Sequence, residues 1–583
     1  MNAKCIIKWT KNKVEIKDTL NLISKKYDFL TVERKSCRNF HKCLILLMTI
    51  SALIFFYSCS NNSNESKAIS KSPQPILDSV YIVKYLSASP GFKEHMIWAK
   101  KFYSERAFKL GWFKDNQIVP KANQMLNILK KSGEEGLNPK DYQIKNFDQL
   151  FADLKASAKG SAKFFALEKE IDVALSATYF AWASDYYRGT VVPTENKAIE
   201  WDVKSNKIKL HKALMTVLGE RESKYPYADF QPLHPEYTRL KAALANYRKI
   251  KAAGGWPSIP AGTKIKPGDN SPAVNILYKR LIGSSADTTT HTIYDATLAS
   301  AVKQFQTQNG LKADGALGPE TIKLLNISVD QRIKQIILNM ERWRWIPKKF
   351  EPDYLLVNIP EYKLHVFEKG AEKMTMKVIV GKTLNSTPVF SDRLESVVLS
   401  PYWNVPMSII QKELAPKLIS NPDYLEHLDM EIITAKGTLV SPSSIKWSSV
   451  NESNFKYILR RRPGPKNDLG DVKFIFPNSM DIYLHDTPND ELFNQTKRGF
   501  SHGCVRVEKP IELAEYLLRN KPGYDKSTIL DIISQRKEKH VALKQKLPVY
   551  LVYFTAWADE SGQVYFRDDI YGHDKTLARE YFN

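Results

Sequence analysis

The feature that most constrains this chain is a change of hydrophobic period near residue 354. Before it, apolar residues recur at helical spacing, as over 122–131 and 170–187. After it, they come in short runs with turn residues between, over 354–359, 363–367, 374–380, 397–400, 473–476 and 481–484. A period near 3.6 buries one stripe of a helix, and a period of two buries one face of a strand. The chain is therefore expected to be helical first and β-rich afterwards, an α+β multidomain protein. Its 583 residues are long for one domain and suggest roughly three to five.

Punctuation divides these halves further. Gly136 to Pro139 stops one helix, and Arg188-Gly189 with Val191-Val192-Pro193 stops the long one. Tyr179, Phe180, Trp182, Tyr186 and Tyr187 fit a helical core better than a sugar-binding platform. The helical region covers 75–255, and the Pro- and Gly-containing stretch 256–268 reads as a linker. A small module over 266–327 has helices at 273–281 and 295–306, and 331–345 is another helix. The β-rich domain spans 354–520, with a mixed lid inserted at about 408–457 and a helix at 510–518. Runs 549–554 and 564–566 predict a closing hairpin within 548–583.

The 86 Lys and Arg outnumber the 63 Asp and Glu. That balance favours an acidic partner without saying which. Nucleic acid is discounted because no zinc-finger pattern, RNA-recognition signature or compact basic block is present. Four of the five cysteines, Cys5, Cys37, Cys43 and Cys59, lie in the first 59 residues. Arg34, Lys35, Arg38 and Lys42 precede an apolar run over 43–57, the pattern of an export signal. The run is short of the roughly 20 residues of a membrane span. Ser58-Cys59-Ser60 resembles a bacterial lipoprotein site, although Phe56 and Tyr57 are bulkier than that pattern prefers. We read 1–58 as leader, Cys59 as the lipidated residue and 59–74 as a flexible tether; an uncleaved signal anchor is the alternative. Either way the body is expected outside the cytoplasm, tethered to a membrane.

Cys504 is then the one thiol of the body, with no disulfide partner. It lies in Ser501-His502-Gly503-Cys504-Val505-Arg506, and His485 lies on an earlier apolar run. A thiol attacks only as thiolate, so a histidine must take its proton or hold it as an ion pair. His485 is assigned as base because a neighbouring strand can bring it to the thiol. His502, two residues from Cys504, is left to position substrate or to donate to an oxyanion. Gly503 leaves room for a carbonyl, and the N–H groups of Gly503 and Cys504 are candidate oxyanion donors. Arg506 is open between binding an acidic group and bracing the loop, and the basic turn 460–465 between holding a carboxylate and being solvated. Neither histidine has further ligands at a recognisable spacing, so no metal and no cofactor is expected.

Two resemblances give this chemistry a setting. Residues 301–306 with Asn309-Gly310-Leu311, Asp314-Gly315, Gly318 and Thr321 resemble the peptidoglycan-binding domain 1 family, which implies a three-helix wall-binding module. Residues 501–506 preceded by His485 resemble the L,D-transpeptidases of bacterial cell walls. Tyr402-Trp403-Asn404-Val405-Pro406, residues 463–467, Leu469-Gly470 and residues 483–488 are similar to the larger periplasmic branch, in which 75–255 would be the scaffold domain. Asp486 stands where many smaller members have glycine. The resemblance implies that Cys504 attacks the third stem residue of a tetrapeptide, releases D-alanine, and passes the acyl group to a neighbouring stem as a 3→3 cross-link. Water as acceptor would make it an L,D-carboxypeptidase, and carbapenems would acylate the same thiol. It also implies substrate contacts at Ser501, Arg506, Tyr402, Trp403 and Asn404. A sortase-like or papain-like peptidase has no supporting motif around Cys504. A wall-binding lipoprotein with a vestigial catalytic domain conflicts with the intact Cys504 and His485.

Overall fold

The computed structural model describes residues 76–88, 90–142, 144–193, 201–203, 207–219, 234–260, 262–282 and 290–582. The leader 1–58, the tether 59–74 and Cys59 lie outside the described residues. Among the described residues, no helix is long and apolar enough to cross a membrane.

The first helical region packs around α1 (Ala162–Arg188), whose N-cap Ser161 accepts from the Phe164 N–H. Its Tyr179, Phe180, Trp182, Tyr186 and Tyr187 are buried in one apolar core with Phe102, Tyr103 and Trp112. They are core residues, as their spacing predicts. Among its described residues the small module has three helices, α2 (Pro272–Leu281), α3 (Ala296–Gln308) and α4 (Pro319–Leu325), around its own core.

Helix α5 (Val329–Trp345) begins in a capping box between Ser328 and Gln331 and joins all three parts. Arg332 Nη2 donates to Asn309 Oδ1 of the module at 2.7 Å. Asn339 Nδ2 donates to Thr555 Oγ1 in the β-rich part at 2.8 Å. Glu341 accepts from the Val191 N–H at 2.9 Å and from fully buried Arg344 at 2.7 Å. A buried charge left alone is costly, so this pair is matched on both sides before it is enclosed.

The β-rich part starts with β1 (Tyr354–Asn358), β2 (Lys363–Glu368), β3 (Ala371–Gly381) and β4 (Val389–Leu399). The lid follows, with strands β5 (Trp403–Asn404), β6 (Met430–Ile433) and β7 (Ile458–Arg461) around a separate core that includes Ile410, Leu418 and Trp447. The main sheet resumes with β8 (Val472–Ile475), β9 (Leu484–His485), β10 (Gly499–Ser501), β11 (Val505–Val507) and the long β12 (Lys539–Val552). Its order is β8-β9-β11-β3-β2-β1-β12-β4, and β4 pairs back with β8, so the sheet closes on itself. Closure removes exposed edges and encloses the apolar faces.

Three expectations differ in detail. Residues 549–552 belong to β12, which lies between β1 and β4, so 548–583 is not simply a hairpin; the hairpin is Ala556–Ala558 with Val564–Phe566, followed by a helix His573–Tyr581. Only Leu484–His485 of 481–484 and beyond is strand, because Asp481 turns at φ 53°. Residues 409–420 are helical but contain one π-turn, Ile410–Leu414.

Candidate active site

The register of the closed sheet builds the site. β9 runs parallel to β11 with Leu484 opposite Val505 and His485 opposite Arg506, and antiparallel to β8 with His485 opposite Lys473. Leu484, Val505 and Phe474 are fully buried in the core. Side chains alternate across a strand, so the other face receives Lys473, Tyr483, His485, Cys504 and Arg506. All five line one cavity of about 850 Å³. Trp403 and Asn404 of the lid and Asn385 of the β3–β4 connection complete its walls.

Cys504 is half-buried, and its Sγ lies 3.7 Å from the Asp481 carbonyl oxygen. Burial raises the thiol pKa; hydrogen bonds from Tyr483 and the charge of Lys473 work against that rise. The Lys473 ammonium sits 3.8 Å over the Tyr483 ring, and Trp403 hydrogen-bonds the Tyr483 hydroxyl. His485 is buried, and its Nδ1 lies 2.6 Å from the Asp486 carbonyl oxygen. A carbonyl only accepts, so Nδ1 carries the proton and Nε2 is left as an acceptor. Burial, then the charge of Arg506, lowers the His485 pKa to about 3. The resting pair is therefore neutral thiol and neutral imidazole. Of the two protonation schemes open to a Cys–His pair, proton transfer during attack fits better than a preformed ion pair.

The nucleophile loop is clasped from below. Gly503 has φ +121°, a region that side-chain-bearing residues rarely adopt. Its N–H donates to Ser501 Oγ at 3.1 Å, and Ser501 Oγ donates to the Cys504 carbonyl at 2.5 Å. Thr387 Oγ1 donates to the Gly503 carbonyl at 2.7 Å and accepts from the Gly381 N–H at 2.9 Å. Asp486 shapes the neighbouring loop by accepting from the N–H groups of Asp471 and Thr487, both at 2.7 Å. A Cβ on Gly470 would lie 2.3 Å from Asp486 Oδ2, so only glycine fits there.

These contacts correct several expectations. The Gly503 N–H, expected to face an oxyanion, here donates to Ser501 Oγ. Ser501 lines the cavity, but both of its bonds go to the loop, so it is a clasp and not a free substrate contact. Tyr402 is not among the residues lining the cavity; the Arg460 guanidinium stacks 3.8 Å over its ring. In the basic turn, Arg460 and Arg462 both pair with Glu431, and Arg461 pairs with Asp468, so these guanidiniums are matched within the protein. His502 lies at the rim, half exposed, with Nε2 3.4 Å from Glu413 Oε1 of the lid. Arg506 lines the cavity, and its buried Nε has no hydrogen-bond partner.

Lys473, Tyr483 and Thr387 are site residues that the sequence does not single out. The first two carry a signal, because they alternate with Val472, Phe474 and Leu484 on strands leading to His485. Thr387 carries none, since its partner Gly503 is remote in sequence.

Comparison with known proteins agrees with this geometry. Residues 352–573 match the model of an L,D-transpeptidase catalytic domain, 98–244 a scaffold domain, and 270–325 the family described as "Putative peptidoglycan binding domain". A protein of Haemophilus influenzae, described as "Putative L,D-transpeptidase", is 37% identical over 244 residues. The match covers 42% of this chain and 49% of that protein, so the chain spans about half the length of this relative. Among solved structures, L,D-transpeptidase 1 of Mycobacterium tuberculosis is 13% identical over 35% of this chain and 64% of its own, with a TM-score of 0.14. An L,D-transpeptidase of Xylanimonas cellulosilytica is 14% identical over 50% of this chain and 99% of its own, with a TM-score of 0.16. At those scores the two structures carry no argument, and the assignment stands on the sequence models and on the site. Residues 352–573 thus match an L,D-transpeptidase catalytic domain, preceded in the same chain by matches to a scaffold domain and to a putative peptidoglycan-binding domain.

Proposed function

We propose that this protein is a peptidoglycan L,D-transpeptidase that works through a Cys504 thioester. The observation that carries the reading is the shared face: Cys504 and a neutral, tautomer-defined His485 line one cavity beneath the lid. In acylation, Cys504 Sγ attacks the carbonyl carbon of the third stem residue while His485 Nε2 accepts the thiol proton. The amide C–N bond breaks, the proton passes to the leaving nitrogen, and D-alanine departs. In transfer, the amine of a second stem attacks the thioester, the C–S bond breaks, and His485 carries a proton back to sulfur. This yields a 3→3 cross-link.

The oxyanion donors in reach of a carbonyl bonded to Sγ are the Cys504 N–H and the Tyr483 hydroxyl, which already hydrogen-bonds Sγ. Arg506, whose side chain lines the cavity, is the contact for a stem carboxylate. Trp403 and Asn404 are contacts from the lid side. His502 is a rim residue between the nucleophile loop and the lid. L,D-carboxypeptidation follows when water replaces the amine, and carbapenems acylate the same thiol. The protein works in the periplasm, tethered through lipidated Cys59 or a signal anchor. Cys504→Ala is expected to abolish D-alanine release from a disaccharide-tetrapeptide while binding to wall material survives; undiminished release would overturn the assignment.

A further inference from the structure

A second cleft, about 980 Å³, lies between the three-helix module and the catalytic domain. Hydrogen bonds tie its two walls together. Arg567 Nη1 donates to the Gln308 carbonyl at 2.8 Å, and Gln304 Nε2 donates to Gln563 Oε1 at 2.9 Å. With the Arg332–Asn309 bond already described, these seat the module on the catalytic domain.

The cleft and the active-site cavity share two pieces of chain. On the β3–β4 connection, Gly381 and Thr383 face the cleft while Asn385 faces the cavity. Along β10, Gly499 and Phe500 line the cleft while Ser501, and His502 just beyond the strand, line the cavity. The turn Thr383–Asn385 is thus a ridge between the two spaces, with Leu384 at its crest, 95% exposed. The cleft and the cavity adjoin across this ridge, with Ser501, His502 and Cys504 on the cavity side. The cleft walls carry both signs of charge: Lys312, Asp314 and Glu320 from the module, and Lys497 and Asp568, an exposed pair 3.8 Å apart, from the catalytic domain. A peptide bearing both carboxylates and an ammonium group is the ligand that such a wall complements. The volume is within the range of sites that enclose a small ligand.

We propose that this cleft holds the acceptor strand, a second stem peptide whose amine crosses the Leu384 ridge to reach the Cys504 thioester. This rests on the transpeptidase reading and assigns the two substrates to separate spaces, the donor to the cavity under the lid and the acceptor to the module side. The module then acts as one wall of the acceptor site, in addition to any role in wall binding. The acceptor amine forms the new C–N bond as the C–S bond breaks, and its proton returns to sulfur through His485.

The test separates acylation from transfer. Gly318 lies at the start of α4 with φ −90°, and no atom lies within 4 Å of a Cβ placed there. Gly318 lines the cleft, so Gly318→Trp adds bulk at its wall without backbone strain. Lys312→Glu with Lys497→Glu is the second variant, which reverses the cationic part of the wall without adding bulk. Each full-length protein is given disaccharide-tetrapeptide, and free D-alanine, cross-linked dimer and hydrolysed tripeptide are quantified by mass spectrometry. The expected result is D-alanine release within about twofold of wild type and a dimer-to-tripeptide ratio at least tenfold lower in both variants. An unchanged ratio in both overturns the proposal. Loss of D-alanine release from folded Gly318→Trp also overturns it, by assigning the cleft to the donor. If wild type releases no D-alanine, the transpeptidase reading itself fails, a result distinct from either.

Discussion

Thr387→Val is the most informative perturbation of the nucleophile loop. Valine has nearly the shape of threonine, so the substitution opens no cavity and isolates the hydroxyl. That hydroxyl, fully buried, bridges the Gly381 N–H and the Gly503 carbonyl. Removing it leaves two buried polar groups without partners, each costing about 1–3 kcal/mol. We expect a combined loss of about 2–4 kcal/mol, toward the lower part because Tyr571 still contacts the same corner through the Gly381 carbonyl and the Thr387 N–H. The positive φ of Gly503 is then less constrained, and Cys504 shifts relative to His485. A misplacement on the order of 1 Å lowers turnover about a hundredfold. Urea unfolding reads the first effect and D-alanine release the second, with Thr387→Ser as the variant that keeps the hydroxyl and restores both. Wild-type stability and turnover in Thr387→Val would refute the clasp. Lower stability with unchanged turnover would refute its role in aiming the thiol.

Two further outcomes follow from the charges. Lys473→Met removes a cation whose field lowers the Cys504 pKa, so alkylation of the thiol at neutral pH is expected to slow roughly tenfold, with partial recovery in Lys473→Arg; an unchanged rate contradicts the assignment. His365 lies 3.1 Å from both Glu361 and Glu372; its burial lowers the pKa, but these bonds outweigh it and raise it to about 9. A folded pKa above the unfolded value near 6.5 stabilises fully below pH 6.5 and is lost as pH rises through 9, by about 3 kcal/mol at most. His365→Gln should flatten that alkaline limb in pH-dependent unfolding, and an equally steep limb in the variant would assign it elsewhere.

Much of this architecture was legible because it is periodic. The switch from helical to alternating spacing marks where β1 begins, and the aromatics of α1 are core because their spacing makes a stripe. The site was legible where its chemistry is local: Cys504 and His485 lie on runs whose alternation already assigns them a face. What escaped was nonlocal. Thr387 reaches Gly503 across the closed sheet, and no window of sequence contains both. Ser501 reads as a polar residue beside a nucleophile, yet its hydroxyl is committed in both directions once the loop turns. Tyr402 reads as substrate-facing, and the basic turn of Arg460 stays open between a carboxylate and solvent, until their stacking is seen. The 548–583 segment reads as a hairpin because β12 passes through Lys544, Gln545 and Lys546 before its apolar half, and this polar interruption hides one long strand with an irregular register.

The most direct test of the central claim is the mass of the intact enzyme during turnover. Rapid mixing of the full-length protein with a tetrapeptide donor, followed by acid quench, is expected to show an adduct equal to the donor less D-alanine, mapping to Cys504 and absent from Cys504→Ala. Release of D-alanine with no such adduct, or an adduct that persists in Cys504→Ala, would contradict a thioester on this residue.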